Sequence, residues 1–402
     1  MGYDRPCFRQ FIAIIPCPPW GACFLGGNVA GWCFLPRTTE MTASPAIASS
    51  SAPIPANCPE LGLEVPVAAI DKELRKLWEQ DEARTNASLM NLVVYSEKHG
   101  ALLDNSAIIR NLTREHACRA ILVEIDRDDA IPSIRAWITA HCHLAHGRKS
   151  VCCEQIALFL TGKVTGRFRN TVFAHLNSDL PLVFWWQGEL TDILSERLTS
   201  VIDRLIIDSS TWADPAASFR RIEEASHINK DLILQDHSWT RTWQFRIGIA
   251  SVFDDPAAQR VLPEIDRIEI RHHPGHRNSA LQILAWLAVQ ARWKDENTKE
   301  GFGFEAPNGK KISVSLEEDS SGPPINSLIL RSGAKSTSIT QEAGSAHVRR
   351  CIHAPGYEVC SLSPVDPVLP EELVALQLAR GGKNSLFQKI LPRFRAMLEQ
   401  GK

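Results

Sequence analysis

The sequence predicts an α/β protein with two β-α-β-containing lobes on a mostly parallel sheet, followed by a β-rich portion and two C-terminal helices. Three observations predict it. First, Asp179 to Ser210 carries a whole β-α-β pattern: six apolar residues from Pro181 to Trp186, an amphipathic stretch, and a second apolar run from Leu205 to Ile207. Second, an earlier unit repeats the pattern, with apolar runs at Leu92 to Tyr95 and Ala120 to Asp126 on either side of a helical segment ending at Leu112. Third, beyond Lys294 the period shortens to alternating segments such as KISVSLEED and NSLILRS, broken by Gly and Pro.

The chain order follows from the same patterns. Residues 1 to 66 are expected to be a disordered leader and an Ala/Ser/Pro linker, with the working start at Met41. The apolar tract near the start is broken by Pro16, Pro18 and Pro19, and a spanning helix needs about 20 uninterrupted apolar residues. An N-terminal α/β domain is expected over 67 to 177 and a C-terminal one over 178 to 402, with the β-rich portion at 300 to 363. Ile70, Leu74, Leu77 and Trp78 share a helical face, and Asp104 or Asn105 is placed to cap the helix through Leu112. Ile134 to His143 and Val151 to Leu160 read as an antiparallel hairpin at the sheet edge, with a helix as the alternative for the first run. Leu190, Ile193, Leu194, Leu198, Val201 and Ile202 recur at helical spacing with Thr191 as cap, which predicts a helix after the central strand. Further helices are read at 216 to 227, 239 to 253, 279 to 293, 370 to 380 and 385 to 399, with a strand at Arg267 to Arg271.

Composition narrows the function. The 44 basic and 46 acidic side chains leave a formal charge of −2, which gives no basis for nucleic acid or an anionic membrane as the main partner. No Gly-x-Gly-x-x-Gly follows a strand, and Gly381-Gly382-Lys383 lacks both the upstream Gly and the following Ser/Thr of a phosphate loop. Neither Gly-x-Ser-x-Gly nor His-Glu-x-x-His occurs. No cofactor, catalytic residue or metal site is assigned.

The candidate residues are therefore those of a binding protein. Asp208, Ser209 and Ser210 stand at the carboxyl end of a strand, where α/β sheets place ligands, although they also suit a turn. Trp185 and Trp186 are candidate recognition rings, although a strand points one ring to each face and at least one is expected in the core; Arg84 is a candidate for a partner contact or an internal ion pair. His272, His273, His276 and Arg277 precede a helix amino end that can hold an anion. Cys152 and Cys153 are candidate redox thiols, close to His141, Cys142, His143 and His146 but at spacings unlike those of the common zinc fingers.

Several stretches in order, ARTNASLMNLVVYS, HxxRAILVE from His116 to Glu124, AHCHLAHGRKSVCCEQI, DLPLVFWWQGEL, DRLIIDSS, SWTRTWQFRIGIASVFD and ALQILAWLAVQARW, resemble the OpcA family, glucose-6-phosphate dehydrogenase assembly proteins of cyanobacteria and actinobacteria. The resemblance runs from about Ile70 to the C-terminus. It implies a non-catalytic, cytoplasmic partner that binds oligomeric glucose-6-phosphate dehydrogenase and raises its activity, feeding the oxidative pentose phosphate pathway. In some members it also implies a link to thiol redox state, with a thioredoxin-type reductant as a second partner. The sequence departs from the family pattern at Ala117, where Pro is usual, at Gln187, where a basic residue is common, and in the leader before Met41. Two alternatives stay open: a sugar-phosphate-binding enzyme gathering Asp208 to Ser210 with the His272 to Arg277 loop, and a redox or metal-sensing module on the Cys152-Cys153 hairpin.

Overall fold

The computed structural model describes residues 58–79, 84–86, 88–145, 149–163, 165–296, 301–379 and 385–400. In chain order the strands and helices are β1 (Leu63–Val65), α1 (Ile70–Glu79), β2 (Arg84–Asn86), β3 (Asn91–Ser96), α2 (Ala101–Leu112), β4 (Arg119–Asp126), β5 (Ser133–Ala145), β6 (Lys149–Thr161) and α3 (Thr165–Phe173). They continue with β7 (Leu182–Trp186), α4 (Glu196–Thr199), β8 (Arg204–Ile207), α5 (Pro215–Ser226), β9 (Ile233–Asp236), α6 (His237–Thr240), α7 (Trp243–Val252), α8 (Pro256–Val261), β10 (Arg267–His272) and α9 (Arg277–Gln290). The last part holds β11 (Lys294–Asp295), β12 (Gly303–Glu305), β13 (Lys311–Glu318), β14 (Ile325–Ser332), β15 (Lys335–Thr340), β16 (His347–Ala354), β17 (Tyr357–Pro364), α10 (Pro370–Leu378) and α11 (Ser385–Gln400).

Two sheets organise these elements. The first has the order β1-β5-β6-β4-β3-β7-β8-β9, with β2 also paired to β6. From β6 to β9 every pairing is parallel. Numbering the six parallel strands by their sequence order gives 3-2-1-4-5-6 across the sheet, the order of a doubly wound dinucleotide-binding fold. The hairpin β5-β6 turns the edge antiparallel. Because β7 bonds to β3 along Asn91–Tyr95, the boundary expected at 177/178 runs through one continuous sheet.

Side-chain alternation fills both faces of this sheet. Leu92, Val94, Val183 and Trp185 join Leu102, Ile109, Val374 and Leu378 in one core under α2 and α10. Tyr95, Phe184 and Trp186 point the other way and cluster with Phe168 of α3, with ring centroids 4.3 to 6.5 Å apart.

The second sheet has the order β11-β12-β13-β10-β14-β15-β16-β17. It is antiparallel except where β10 runs parallel to β13. Helix α9 is enclosed on all sides, with every residue from Asn278 to Ala288 buried, which accounts for its unbroken apolar run. No helix among the described residues is long and apolar enough to cross a membrane.

Four expectations are corrected. The leader and linker end earlier than residue 66: Cys58 and Leu61 are buried, and β1 pairs with β5. The helix expected over 190 to 202 shrinks to the single turn α4. Ahead of α4 the Arg221 guanidinium donates to Leu190 O and Thr191 O, and Thr191 O also closes a single turn with Leu194 N at 3.0 Å. Helix α2 starts at Ala101 after Gly100, at φ 80°, so neither Asp104 nor Asn105 caps it. The helical stretch read at 239 to 253 is broken into α6 and α7 around Thr242. The leader up to residue 57 and His146 lie outside the described residues.

Candidate functional site

In a sheet of this order the dinucleotide crevice opens where the winding reverses, here between the carboxyl ends of β3 and β7. The chain fills that crevice with its own side chains. Glu124 on β4 accepts from Gly100 N at 3.0 Å and Leu102 N at 2.9 Å, so a buried carboxylate occupies the amino end of α2 where a pyrophosphate would bind. Burial pushes the Glu124 carboxyl above its ordinary range, although the two amides pull the other way. Glu97 accepts from Arg127 at 2.9 and 3.0 Å and from the Tyr95 hydroxyl, while Arg127 also pairs with Asp192 at 2.8 Å. Asn105 and Gln187 exchange side-chain hydrogen bonds at 3.0 and 2.8 Å, tying α2 to the end of β7.

A second polar centre lies at the carboxyl ends of β8 and β9. Asp208 receives both Nη atoms of Arg241, at 3.0 and 2.7 Å, and the Ser210 hydroxyl at 2.6 Å. Burial opposes its charge, but Arg241 overcomes that cost and holds the carboxyl well below the usual range. Beside it Asp236 is fully buried and accepts from Ser209 Oγ at 2.6 Å, Gln282 Nε2 at 2.7 Å and Ser238 N at 3.0 Å. His237, 2% exposed, has no hydrogen-bond partner at Nε2 among the described residues, and burial pushes its pKa down to about 4.

Next to this centre is a cavity of about 340 Å³ whose lining includes Ser209, Ser210, Trp212, Asp214, Arg277 and Leu398. The structure thus brings Ser209, Ser210 and Arg277 around one space, with Asp208 held behind Ser210. His272 is 1% exposed and bonded to His273 O, so it belongs to the core rather than to an anion loop. His273 Nδ1 accepts from Gly275 N at 3.3 Å. His276 is driven down to about 4, first by burial and then by the Arg241 charge, and it stays neutral at pH 7.

The remaining candidates are scattered. Trp185 and Trp186 are 2% and 1% exposed, so both rings are core on opposite faces of a central strand and neither meets solvent. Arg84 lies on β2, and its side chain is outside the described residues. Cys152 is bonded to Cys142 across the β5-β6 hairpin, where the register sets the two residues opposite each other. Cys153 is a buried thiol whose pKa burial pushes up, the reverse of a reactive thiolate. His141 bonds Gln155 and His143 bonds Thr113, and among the described residues no three His, Cys, Asp or Glu side chains gather as metal ligands.

Sequence reading missed Glu124, Arg241, Asp236 and His237. Asp236-His237 repeats the Asp208-Ser209 position at the end of the next strand, which is the one signal that marked it.

Residues 109–224 match the family model described as the glucose-6-phosphate dehydrogenase subunit N-terminal domain, and residues 233–391 match its C-terminal domain. Two cyanobacterial relatives named OxPP cycle protein OpcA, from Synechocystis sp. and Nostoc punctiforme, are each 26% identical, over 74% and 71% of this chain. The chain spans about two thirds of their length, 67% and 66%. A third, from Synechococcus elongatus, is 24% identical over 83% of this chain and 77% of its own. Similar solved structures include a 3-ketoreductase from Actinomadura kijaniata, with 9% identity, TM-score 0.42 and coverage of 77% of this chain and 96% of its own. Another is an aldose-aldose oxidoreductase from Caulobacter crescentus, with 11% identity, TM-score 0.42 and coverage of 79% and 99%. Two family models matched in order, and relatives that follow the chain through both of its sheets, carry one conclusion: the chain belongs to the OpcA family.

Proposed function

We propose that the chain is a non-catalytic partner of glucose-6-phosphate dehydrogenase that binds the oligomeric enzyme and favours its active form. The family descriptions name that dehydrogenase. The structural observation that supports a binding rather than a catalytic role is Glu124: a carboxylate built into the chain stands where this sheet order would place a nucleotide phosphate. A partner shifts an equilibrium only by binding one state better, so the role needs an accessible contact surface.

The edge strand β17 is such a surface. Among the described residues it pairs only with β16, and it exposes Tyr357 (39%), Val359 (43%) and Leu362 (60%), with Val368 and Leu369 exposed just beyond. A long apolar edge on a soluble sheet is a docking template. Size-exclusion chromatography of the chain with the purified dehydrogenase of the same organism tests the reading. Co-elution at a fixed ratio supports it, and independent elution at micromolar concentrations overturns it.

A further inference from the structure

Strand β17 ends the second sheet, and its main chain is turned toward solvent at fixed positions. Its register with β16 runs unbroken from Tyr357 opposite Ala354 to Pro364 opposite His347. Cys351 and Cys360 stand directly opposite each other and are joined by a disulfide, with their Cα atoms 4.2 Å apart. That spacing belongs to a non-hydrogen-bonded pair, in which both residues turn their N–H and C=O away from each other. The period of two extends the pattern. Glu358, Cys360 and Leu362 aim their main-chain groups out of the sheet, while Val359 and Ser361 aim theirs at β16. Among the described residues the three outward N–H groups have no hydrogen-bond partner.

The devices that blunt such an edge are missing. The pairing has no bulge, and the strand has no Lys and no Pro before Pro364. It carries apolar side chains to both faces instead, Tyr357 and Val359 to one and Leu362 to the other, and all three are exposed. A helix laid along this edge has its own main chain satisfied and leaves the outward groups unanswered. An extended segment along about 27 Å of edge answers them at the same spacing. Charge then selects among strands. Glu358 is the single charge in the eight residues, and it stands 3.9 Å from His353 of β16. The β17 of a second copy, paired about a two-fold axis, sets Cys360, Leu362, Pro364 or another Glu358 against it and never a base. A foreign strand with Lys or Arg at that place completes the pair.

We infer that β17 holds the dehydrogenase by strand addition. An extended segment of that enzyme, apolar or hydroxylic with a basic residue opposite Glu358, pairs through the main chain of Glu358, Cys360 and Leu362. The inference rests on the dehydrogenase-partner reading and names the kind of contact it uses. Residue-resolved hydrogen exchange by mass spectrometry tests it, on the full chain alone and with the purified dehydrogenase of the same organism in excess. In the chain alone the amides of Glu358, Cys360 and Leu362 should exchange faster than those of Val359 and Ser361. In the complex those three should slow by roughly ten-fold or more. Leu362→Pro removes one outward N–H without touching a bond to β16, and its affinity for the dehydrogenase should fall by roughly ten-fold. Leu362→Val keeps that N–H and should bind within about three-fold of wild type. The exchange result on the wild-type pair stands whatever the proline does to stability. Co-elution with the three amides unprotected, or with the affinity of Leu362→Pro unchanged, would overturn the inference and leave the partner reading intact. Absence of any complex would overturn both. Protection of the same amides in the chain alone would give the edge to a second copy and overturn the inference as well.

Discussion

Glu124 Oε2 accepts the backbone N–H of Leu102 at 2.9 Å, which closes the amino end of α2 with the chain's own carboxylate. In a sheet wound 3-2-1-4-5-6 that end is the phosphate seat, and here the chain's own carboxylate stands on it.

Replacing Glu124 tests its structural weight. Glu124→Ala removes the acceptor of the buried Leu102 amide and of the exposed Gly100 amide, and a loss of about 1–3 kcal/mol is expected. Urea denaturation followed by circular dichroism reads it as a lower midpoint at unchanged slope.

The Asp208-Arg241 pair is expected to be costly to break from one side. Asp208→Ala leaves a 7%-exposed guanidinium uncompensated, and about 3–5 kcal/mol should be lost. Its pH dependence has a definite sign. A carboxyl held low in the folded state contributes stability that is fully present above the ordinary carboxylate pKa and lost as pH falls through the folded value. Wild type and Asp208→Ala should therefore differ least in strong acid, as read from denaturation midpoints at pH 3 and pH 7.

Asp366 should behave in the opposite sense. It accepts from Gln244 N and Phe245 N at the start of α7, yet burial pushes it up to about 7. An acid raised on folding contributes stability that is fully present below the ordinary carboxylate range and lost as pH rises through about 7. The stability of Asp366→Asn relative to wild type should therefore improve by roughly 1 kcal/mol or more between pH 5.5 and pH 8. A difference that stays flat across that window contradicts the shift.

Core and contact surface should separate by mutation. Trp186→Ala empties a core position and should cost about 3–5 kcal/mol. Leu362→Asp on the exposed face of β17 should change stability by no more than about 0.5 kcal/mol while weakening dehydrogenase binding. Thermal melts and co-elution of the two variants check both halves; full binding by Leu362→Asp removes β17 from the interface.

Much of this was legible in the chain itself, for local reasons. Asn91–Ser96, Arg119–Asp126 and Leu182–Trp186 announced themselves as buried strands because parallel strands covered on both faces are apolar throughout. The OpcA resemblance was legible for the same reason, since its stretches coincide with these strands and with α7 and α9. The 190–202 helix was overread because Ile193, Leu194, Leu198 and Ile202 are indeed buried, although only Glu196–Thr199 is helical and a distant Arg221 donates to the carbonyls of Leu190 and Thr191. The Trp pair looked like a recognition surface only while the neighbours of β7 were unknown. Glu124 and Arg241 were invisible because their roles depend on partners 22 and 33 residues away. The cavity was half legible: Ser209, Ser210 and Arg277 were singled out as strand-end and helix-start residues, but Trp212 and Leu398 reach it only through packing.

The proposed role requires a partner whose behaviour changes when this chain binds it. Steady-state kinetics of the purified dehydrogenase from the same organism, with glucose 6-phosphate varied while the chain is titrated, measures that directly. The account predicts that the half-saturating substrate concentration falls or the maximal rate rises, reaching a plateau at a fixed ratio of chain to enzyme. Substrate curves that superimpose at every chain concentration would contradict it.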